Sequence, residues 1–266
     1  MKISVLMTVY SGSNHYYLDA AIESILNQTY KASEIIIMVN GKIDDKCEDV
    51  LTKFGSKIKV FRIKNNKGQG HALSTGVEKC KYELIAIHSD YDIAMPDRLD
   101  KQVRYFEHHD VDILGGQIIE IHNKTNKMFG IRKVPLRDSA IKVYMKSRCP
   151  FNHPTVMFKK DKILEIGNYP DIRYMADYAL WIQAYDLKMA NVNDVLAKVR
   201  IDNSLLKKKS SFKYISSIRT VEHMLHDKKI INRAEMTFYI ISRSFVALLP
   251  NFIRKRIYKH VLRYSK

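Results

Sequence analysis

The sequence has little with which to cross-link itself. Its three cysteines, Cys47, Cys80 and Cys149, lie far apart and never in a Cys-x-x-Cys pair. Neither a disulfide framework nor a zinc site is indicated, and a reducing, cytoplasmic setting is expected. No run of about 18 apolar residues occurs, because even the stretch Phe238 to Leu249 is broken by Arg243; a membrane-spanning helix is not expected. The apolar start, Met1 to Met7, is short and soon gives way to Ser11-Gly12-Ser13-Asn14-His15, so it reads as a first strand and not as a removed leader. Acidic residues are scarce, 28 against 45 Lys and Arg, for a net charge of +17. The shortage is concentrated: Leu205 to Lys266 carries fifteen Lys or Arg against Glu222, Asp227 and Glu235. Such a segment suits nucleic acid, an anionic membrane surface or a pyrophosphate-linked substrate, and charge alone does not choose.

What is present is ordinary globular material, 46% hydrophobic and 10% aromatic over 266 residues, enough for one large core or a catalytic domain with a smaller appendage. The first part alternates β and α patterns. Ile3 to Val9 reads as a buried strand, and Leu18, Ala21, Ile22, Ile25 and Leu26 recur at helical spacing. Glu34 to Val39 and Lys59 to Ile63 read as strands, His71 to Lys79 as a helix and Glu83 to Ile87 as a fourth strand. This alternation predicts a mostly parallel sheet flanked by helices. Pro96 suits the first turn of a helix carrying Leu99, Val103 and Phe106 and ending near His108. Strand-like runs follow at Ile113 to His122, Lys127 to Lys133 and His153 to Phe158, then a helix over Asp177 to Leu187. From about Ser210 the chain reads as helical and basic. No internal repeat or low-complexity linker separates these parts.

The sharpest local feature is His88-Ser89-Asp90-Tyr91-Asp92, directly after an apolar strand. A parallel sheet delivers such a loop to its ligand-binding edge. Two carboxylates one residue apart can face one Mg²⁺ or Mn²⁺, which would bridge a diphosphate and offset its charge as it leaves. The bland alternative is a loop with two solvated aspartates, and on spacing alone, which recurs often by chance, that is the favoured reading.

Six ordered blocks resemble family 2 glycosyltransferases over roughly the first 200 residues. They are Ser4 to Tyr10, Ser24 to Tyr30, Asn66 to Leu73, the Asp90-Tyr91-Asp92 loop with Pro96-Asp97-Arg98-Leu99 behind it, Asn152 to Phe158, and Asp177 to Trp181. The resemblance is strongest to bacterial O-antigen and capsular polysaccharide members. It implies an α/β, GT-A-like fold with a Rossmann-type sheet, a catalytic domain over 1–204 and a basic helical extension over 205–266. Within the domain, a nucleotide-sugar half spans about 1–100 and an acceptor half about 101–204. It also implies a UDP-sugar donor bound near Thr8, Val9, Tyr10, Asn40, Asn66 and Gly68, with the diphosphate at Asp90 and a Mn²⁺ or Mg²⁺ ion at Asp90 and Asp92. Asp177 falls at the position of the catalytic base, and His153 and Trp181 on the acceptor or sugar side. The implied reaction moves a hexose or N-acetylhexosamine, with inversion, to a saccharide acceptor carried on a polyprenyl diphosphate, in surface polysaccharide synthesis.

Each of these residues also has a plain structural role open to it. Asp177 suits an N-cap, Trp181 the core, Tyr10 the end of its strand, His153 a hydrogen-bonded structural histidine or a metal ligand, and Gly68 and Gly70 a simple turn. Four positions depart from the family pattern. Asn40-Gly41 stands where relatives carry Asp-Gly, Ala176-Asp177 where they carry Glu-Asp, and Ser89 and Tyr91 where they commonly carry Asp. Asn40 can still hydrogen-bond a uracil edge, being both donor and acceptor; Asp92 is the firmer expectation for the metal.

In the last segment Ile253, Ile257, Val261 and Tyr264 follow helical spacing beside Lys255, Lys259 and Arg263. This reads as an amphipathic basic helix, lying on the inner face of the cell membrane or packed on the catalytic domain. A non-catalytic nucleic-acid or anionic-membrane binding protein is the competing function. No basic-aromatic recognition motif supports nucleic acid as the partner. A nucleotidyltransferase would need a Gly-rich basic loop that Ser11-Gly12-Ser13 does not supply.

Overall fold

The first two strands are apolar on both sides, and this sets the architecture. In the computed structural model, which describes residues 1–249 except 124, 173 and 202–211, β1 (Ile3–Tyr10) and β2 (Glu34–Asn40) are inner strands of a layered sheet, each paired on both sides. Successive side chains of a strand point to opposite faces. Leu6, Ile36 and Met38 therefore enter one core with Leu73 and Val77, while Val5, Met7, Ile35 and Ile37 enter the other with Leu18 and Ile22. A strand buried on both faces needs helices on both, which the crossover connections of a parallel sheet supply.

Those connections are α1 (His15–Leu26), α2 (Asp45–Phe54) and α3 (Gln69–Lys79), leading to β2, β3 (Lys59–Ile63) and β4 (Leu84–Ser89). Asn14 caps α1 by accepting from the N–H groups of Tyr16 and Tyr17, and Asp44 caps α2 through the N–H of Cys47, satisfying amide groups that a helix start leaves unpaired. Gly76 lets α3 approach β1 closely, since a Cβ there would lie 2.4 Å from Leu6 Cδ1.

β5 (Ile93–Ala94), α4 (Arg98–His108), β6 (Ile113–His122), β7 (Met128–Arg132), α5 (Asp138–Met145), β8 (Met157–Lys159), α6 (Lys160–Glu165), α7 (Ala176–Gln183) and β9 (Met189–Ile201) complete the domain. The strand order is β3-β2-β1-β4-β8-β6-β9-β5, with β7 on β6. β1 to β4 pair in parallel, as expected. The other half is mixed: β8 is antiparallel to β4 and β6, while β9 is parallel to β6.

The expected strand over His153 to Phe158 is shorter. Residues 153–155 form a 3-10 turn in which Thr155 Oγ1 donates to Asn152 O at 2.7 Å, and pairing begins only at Met157. The preceding Pro154 has no N–H to give a ladder. The helix expected to reach Leu187 ends at Gln183 and continues as a 3-10 turn over residues 184–186. The longest strand, β9, was not legible. Its Asn193-Asp194 pair looks like a turn, and the sheet absorbs it through register shifts on either side of Gln117.

α8 (Phe212–Asp227) and α9 (Arg233–Leu248) follow. Val221 and Leu225 of α8, with Ile230 and Ile231 after it, are buried in the same core as α7 and β4, with Val221 and Leu225 fully enclosed. The basic periodicity of Phe252 to Tyr264 lies outside the described residues. Among the described residues no helix is long and apolar enough to cross a membrane.

Candidate active site

The C-terminal edge of the parallel strands gathers the first group of residues. Thr8 is registered with both Met38 and Ser89, and Tyr10 with Asn40, so the ends of β1, β2 and β4 lie side by side. Ligands in open α/β sheets bind beyond such ends. Val9 is fully buried in the α1-side core, which leaves only its backbone to meet a ligand, whereas Thr8 and Tyr10 are half-buried.

Asn40 is occupied within the protein. Its Nδ2 donates to Gly68 O at 2.8 Å and its Oδ1 accepts from Lys67 N at 3.2 Å, while Asn66 Oδ1 accepts from Gly68 N at 3.0 Å. Asn40, Asn66 and Gly68 are thus brought together as a braced turn, and the Asn40 amide is not free to read a base edge. Gly41, at φ +84°, completes the brace, because a Cβ there would lie 2.9 Å from Asn66 N. Gly68 has φ +98° and leads into α3 with no side-chain cap.

The two loop carboxylates have different surroundings. Asp90 is 5% exposed, and its Oδ2 accepts from Ser13 Oγ, whose oxygen in turn accepts from Tyr10 N at 3.0 Å. Asp92 is fully buried. Its Oδ1 accepts from Arg200 N at 3.0 Å, and its Oδ2 has no hydrogen-bond partner among the described residues. Burial, with repulsion from Asp90 added, pushes Asp92 up to about 7. Arg200 also donates through Nη1 to Tyr91 O and stacks on Tyr17, with its guanidinium carbon 4.7 Å from the ring centroid. Burial holds the Tyr91 phenol above its ordinary range.

This donor set fits one side of a hard-cation site. A lone carboxylate oxygen and a neighbouring carboxylate suit Mg²⁺ or Mn²⁺, which take one or two protein carboxylates and fill the remaining positions with water and substrate phosphate. Among the described residues no cluster of three metal-ligating side chains occurs. Asp90 is the carboxylate with solvent contact, and Asp92 stands behind it.

The second group surrounds Asp177. Met175, at φ +63°, is the N-cap of α7 and makes no side-chain cap bond. Asp177 is the second residue of the helix and does not cap it. Cys149 Sγ lies 3.8 Å from Asp177 Oδ2. His153 Nε2 is 2.9 Å from Tyr169 Oη; burial lowers the imidazole's pKa while Asp177 opposes that shift. Tyr169, itself buried, has its phenol raised well above the ordinary range by burial and by Asp177. Trp181 corrects an expectation. It is fully buried, 5.0 Å from Phe151 between ring centroids, and has no face on which a sugar can stack. The Leu180-to-Ile182 stretch is buried on every side, and the single tryptophan is spent on packing.

α4 joins the two groups. Arg98, fully buried, donates through Nη2 to Ile87 O at 2.8 Å and through Nη1 to His88 Nδ1 at 3.2 Å, and Gln102 Nε2 donates to Thr155 O at 2.9 Å. The acid loop and the His153 turn are therefore fixed to one helix. Burial lowers Arg98 to about 9, and burial beside Arg98 lowers His88 to about 3, so His88 is neutral and accepts from the guanidinium. Sequence pattern gives no site role to Ser13, Tyr169 or Arg200, and it places Arg98 only within the block behind the acid loop. Ser13 sat in a polar turn, and Arg200 on the strand that was not legible.

The profile of Glycosyl transferase family 2 matches residues 4–167. The chain is 33% identical over 98% of its length, and 97% of the relative's, to the UDP-Gal:alpha-D-GlcNAc-diphosphoundecaprenol beta-1,3-galactosyltransferase of Escherichia coli. It is 30% identical over 96% of its length, and 97% of the relative's, to the amylovoran biosynthesis glycosyltransferase AmsE of Erwinia amylovora. Among solved structures, residues 1–349 of S. aureus TarS in complex with UDP-GlcNAc superpose with a TM-score of 0.69 at 14% identity, covering 99% of this chain and 76% of that one. The chain belongs to glycosyl transferase family 2 and has the GT-A fold. It is an enzyme, which sets aside the reading as a purely binding protein.

Proposed function

We propose that this glycosyltransferase moves a hexose or N-acetylhexosamine from a UDP-sugar, with inversion, to a saccharide acceptor carried on a polyprenyl diphosphate, at the cytoplasmic face of the membrane. The observation that carries the reading is the placement of Asp177. It sits in the first turn of α7 without capping it, among His153, Tyr169 and Cys149, on a framework bonded through Arg98 and Gln102 to the acid loop. A carboxylate held but not consumed is what a general base requires. The E. coli relative, named for a diphosphoundecaprenol-linked acceptor, supports the acceptor class, and the amylovoran relative supports a role in polysaccharide synthesis.

In the proposed step Asp177 takes the proton of an acceptor hydroxyl while that oxygen attacks the anomeric carbon. The bond to the diphosphate breaks on the opposite side, and UDP leaves with the electron pair. His153, held by Tyr169, borders the acceptor. Asn40, Asn66 and Gly68 shape the turn over the nucleotide side, and Tyr10 and Ser13 fix Asp90. A Mg²⁺ or Mn²⁺ ion held by Asp90, backed by Asp92, would offset charge on the diphosphate.

The test is a panel of UDP-sugars with a diphosphate-linked N-acetylhexosamine acceptor, with the anomeric configuration of product read by NMR. Transfer with inversion, lost in Asp177→Asn, supports the reading. A retained configuration, or turnover persisting in that variant, overturns it.

A further inference from the structure

α9 has two unlike faces. One packs inward: Met236 and Tyr239 lie against the core, Ala247 is buried, and Arg243 pairs with the buried Glu222 at 2.5 Å. The other carries Phe238, Ile241, Phe245 and Leu248, which are 63–65% exposed. The spacing of three, four and three residues puts them on one stripe about 15 Å long. The helix's one acid, Glu235, is taken up by the capping box with Asn232, so no anion lies on that stripe. Arg243 Nη2 donates to Ser147 O, which ties α9 to the end of α5, where Val143 is 68% exposed one turn earlier.

Four large side chains about two-thirds exposed present on the order of 500 Å² of apolar surface, a size that marks interaction sites. That is short of the roughly 800 Å² per partner of a stable dimer. The sequence that follows decides between occupants. Residues 250–266 contain six Lys or Arg and no Asp or Glu. An apolar strip running into a purely cationic segment is complementary to a surface that is apolar inside and anionic outside.

We infer that the Phe238–Leu248 face of α9 seats on an anionic lipid bilayer, with the basic residues beyond it meeting the headgroups. The helix lies in the interface and does not span it. The inference stands on this surface alone and does not depend on which sugar is transferred.

The test is flotation of the full chain with phosphatidylcholine vesicles, with and without about a third phosphatidylglycerol. Binding is expected to be about tenfold or more stronger with phosphatidylglycerol and to weaken with salt. The Phe238→Ser/Phe245→Ser double variant is expected to lose about tenfold while keeping its melting temperature, because both side chains are exposed. In Phe245→Trp, the new fluorophore is expected to shift to the blue with the anionic vesicles. Equal binding to both vesicle types, or binding unchanged in the double variant, overturns the inference. So does a concentration-dependent dimer abolished by the double variant without vesicle binding, which would assign the face to a second copy.

Discussion

The N–H of Arg200 donates to Oδ1 of Asp92 at 3.0 Å, tying the acid loop to a strand 108 residues further along the chain. The other oxygen of Asp92 is left without a partner among the described residues. A buried carboxylate in that state is easier to protonate than one in water.

A pH dependence follows from its sign. Asp92 titrates near 3.9 in an unfolded chain and at about 7 here. Across that interval the folded state holds the proton and the unfolded state does not, so this group's contribution to stability is full below the unfolded value and is lost as pH rises towards 7. Melting temperature is expected to fall less over that interval in Asp92→Asn than in the wild type. A divalent ion competing with the proton is expected to raise the wild-type melting temperature more at pH 8 than at pH 6. An ion effect equal at both pH values would remove Asp92 from the cation site.

Asp177→Asn keeps the shape of the α7 start and removes the proton acceptor. Loss of a general base costs about 10²- to 10⁴-fold in kcat, with little change in donor KM and in melting temperature. A KM effect with kcat preserved would assign Asp177 to binding. Chelation by EDTA is expected to abolish transfer, with Mn²⁺ or Mg²⁺ restoring it in the wild type and not in Asp90→Ala.

Arg98→Leu removes the donor to Ile87 O and His88 Nδ1. Buried acceptors left without partners cost about 1–3 kcal/mol each, so the urea midpoint should fall. Transfer should also weaken in the fraction that remains folded, because the acid loop and the His153 turn lose their common anchor.

Arg243→Ala leaves Glu222, fully buried, without its cation. Burial already raises Glu222 to about 7 against the opposing pull of Arg243. Loss of the partner of a buried ion pair costs about 3–5 kcal/mol. The loss should be largest above pH 7, where the carboxylate is ionised, and smaller at pH 5. A paired Glu222→Gln/Arg243→Met variant should recover most of the melting temperature.

The sequence by itself determined the parallel half of the sheet, because Ile3 to Val9, Glu34 to Val39 and Glu83 to Ile87 are apolar on both faces and leave no other way to be covered. It determined the place of the acid loop, which follows directly from the end of β4, and the ordered blocks that announce the family. Only the tertiary structure decided what the chemistry-bearing side chains touch. Asn40 is consumed by a turn 26 to 28 residues away, Trp181 is sealed in the core, and Asp92 is held by a strand that looks like a turn at Asn193-Asp194. Periodicity reports which way a side chain faces its own element. Hydrogen bonds between residues far apart in the chain are fixed by packing, and it is packing that leaves Asp90 slightly accessible where Asp92 is fully buried and that sets Asp177 inside α7, past the capping position.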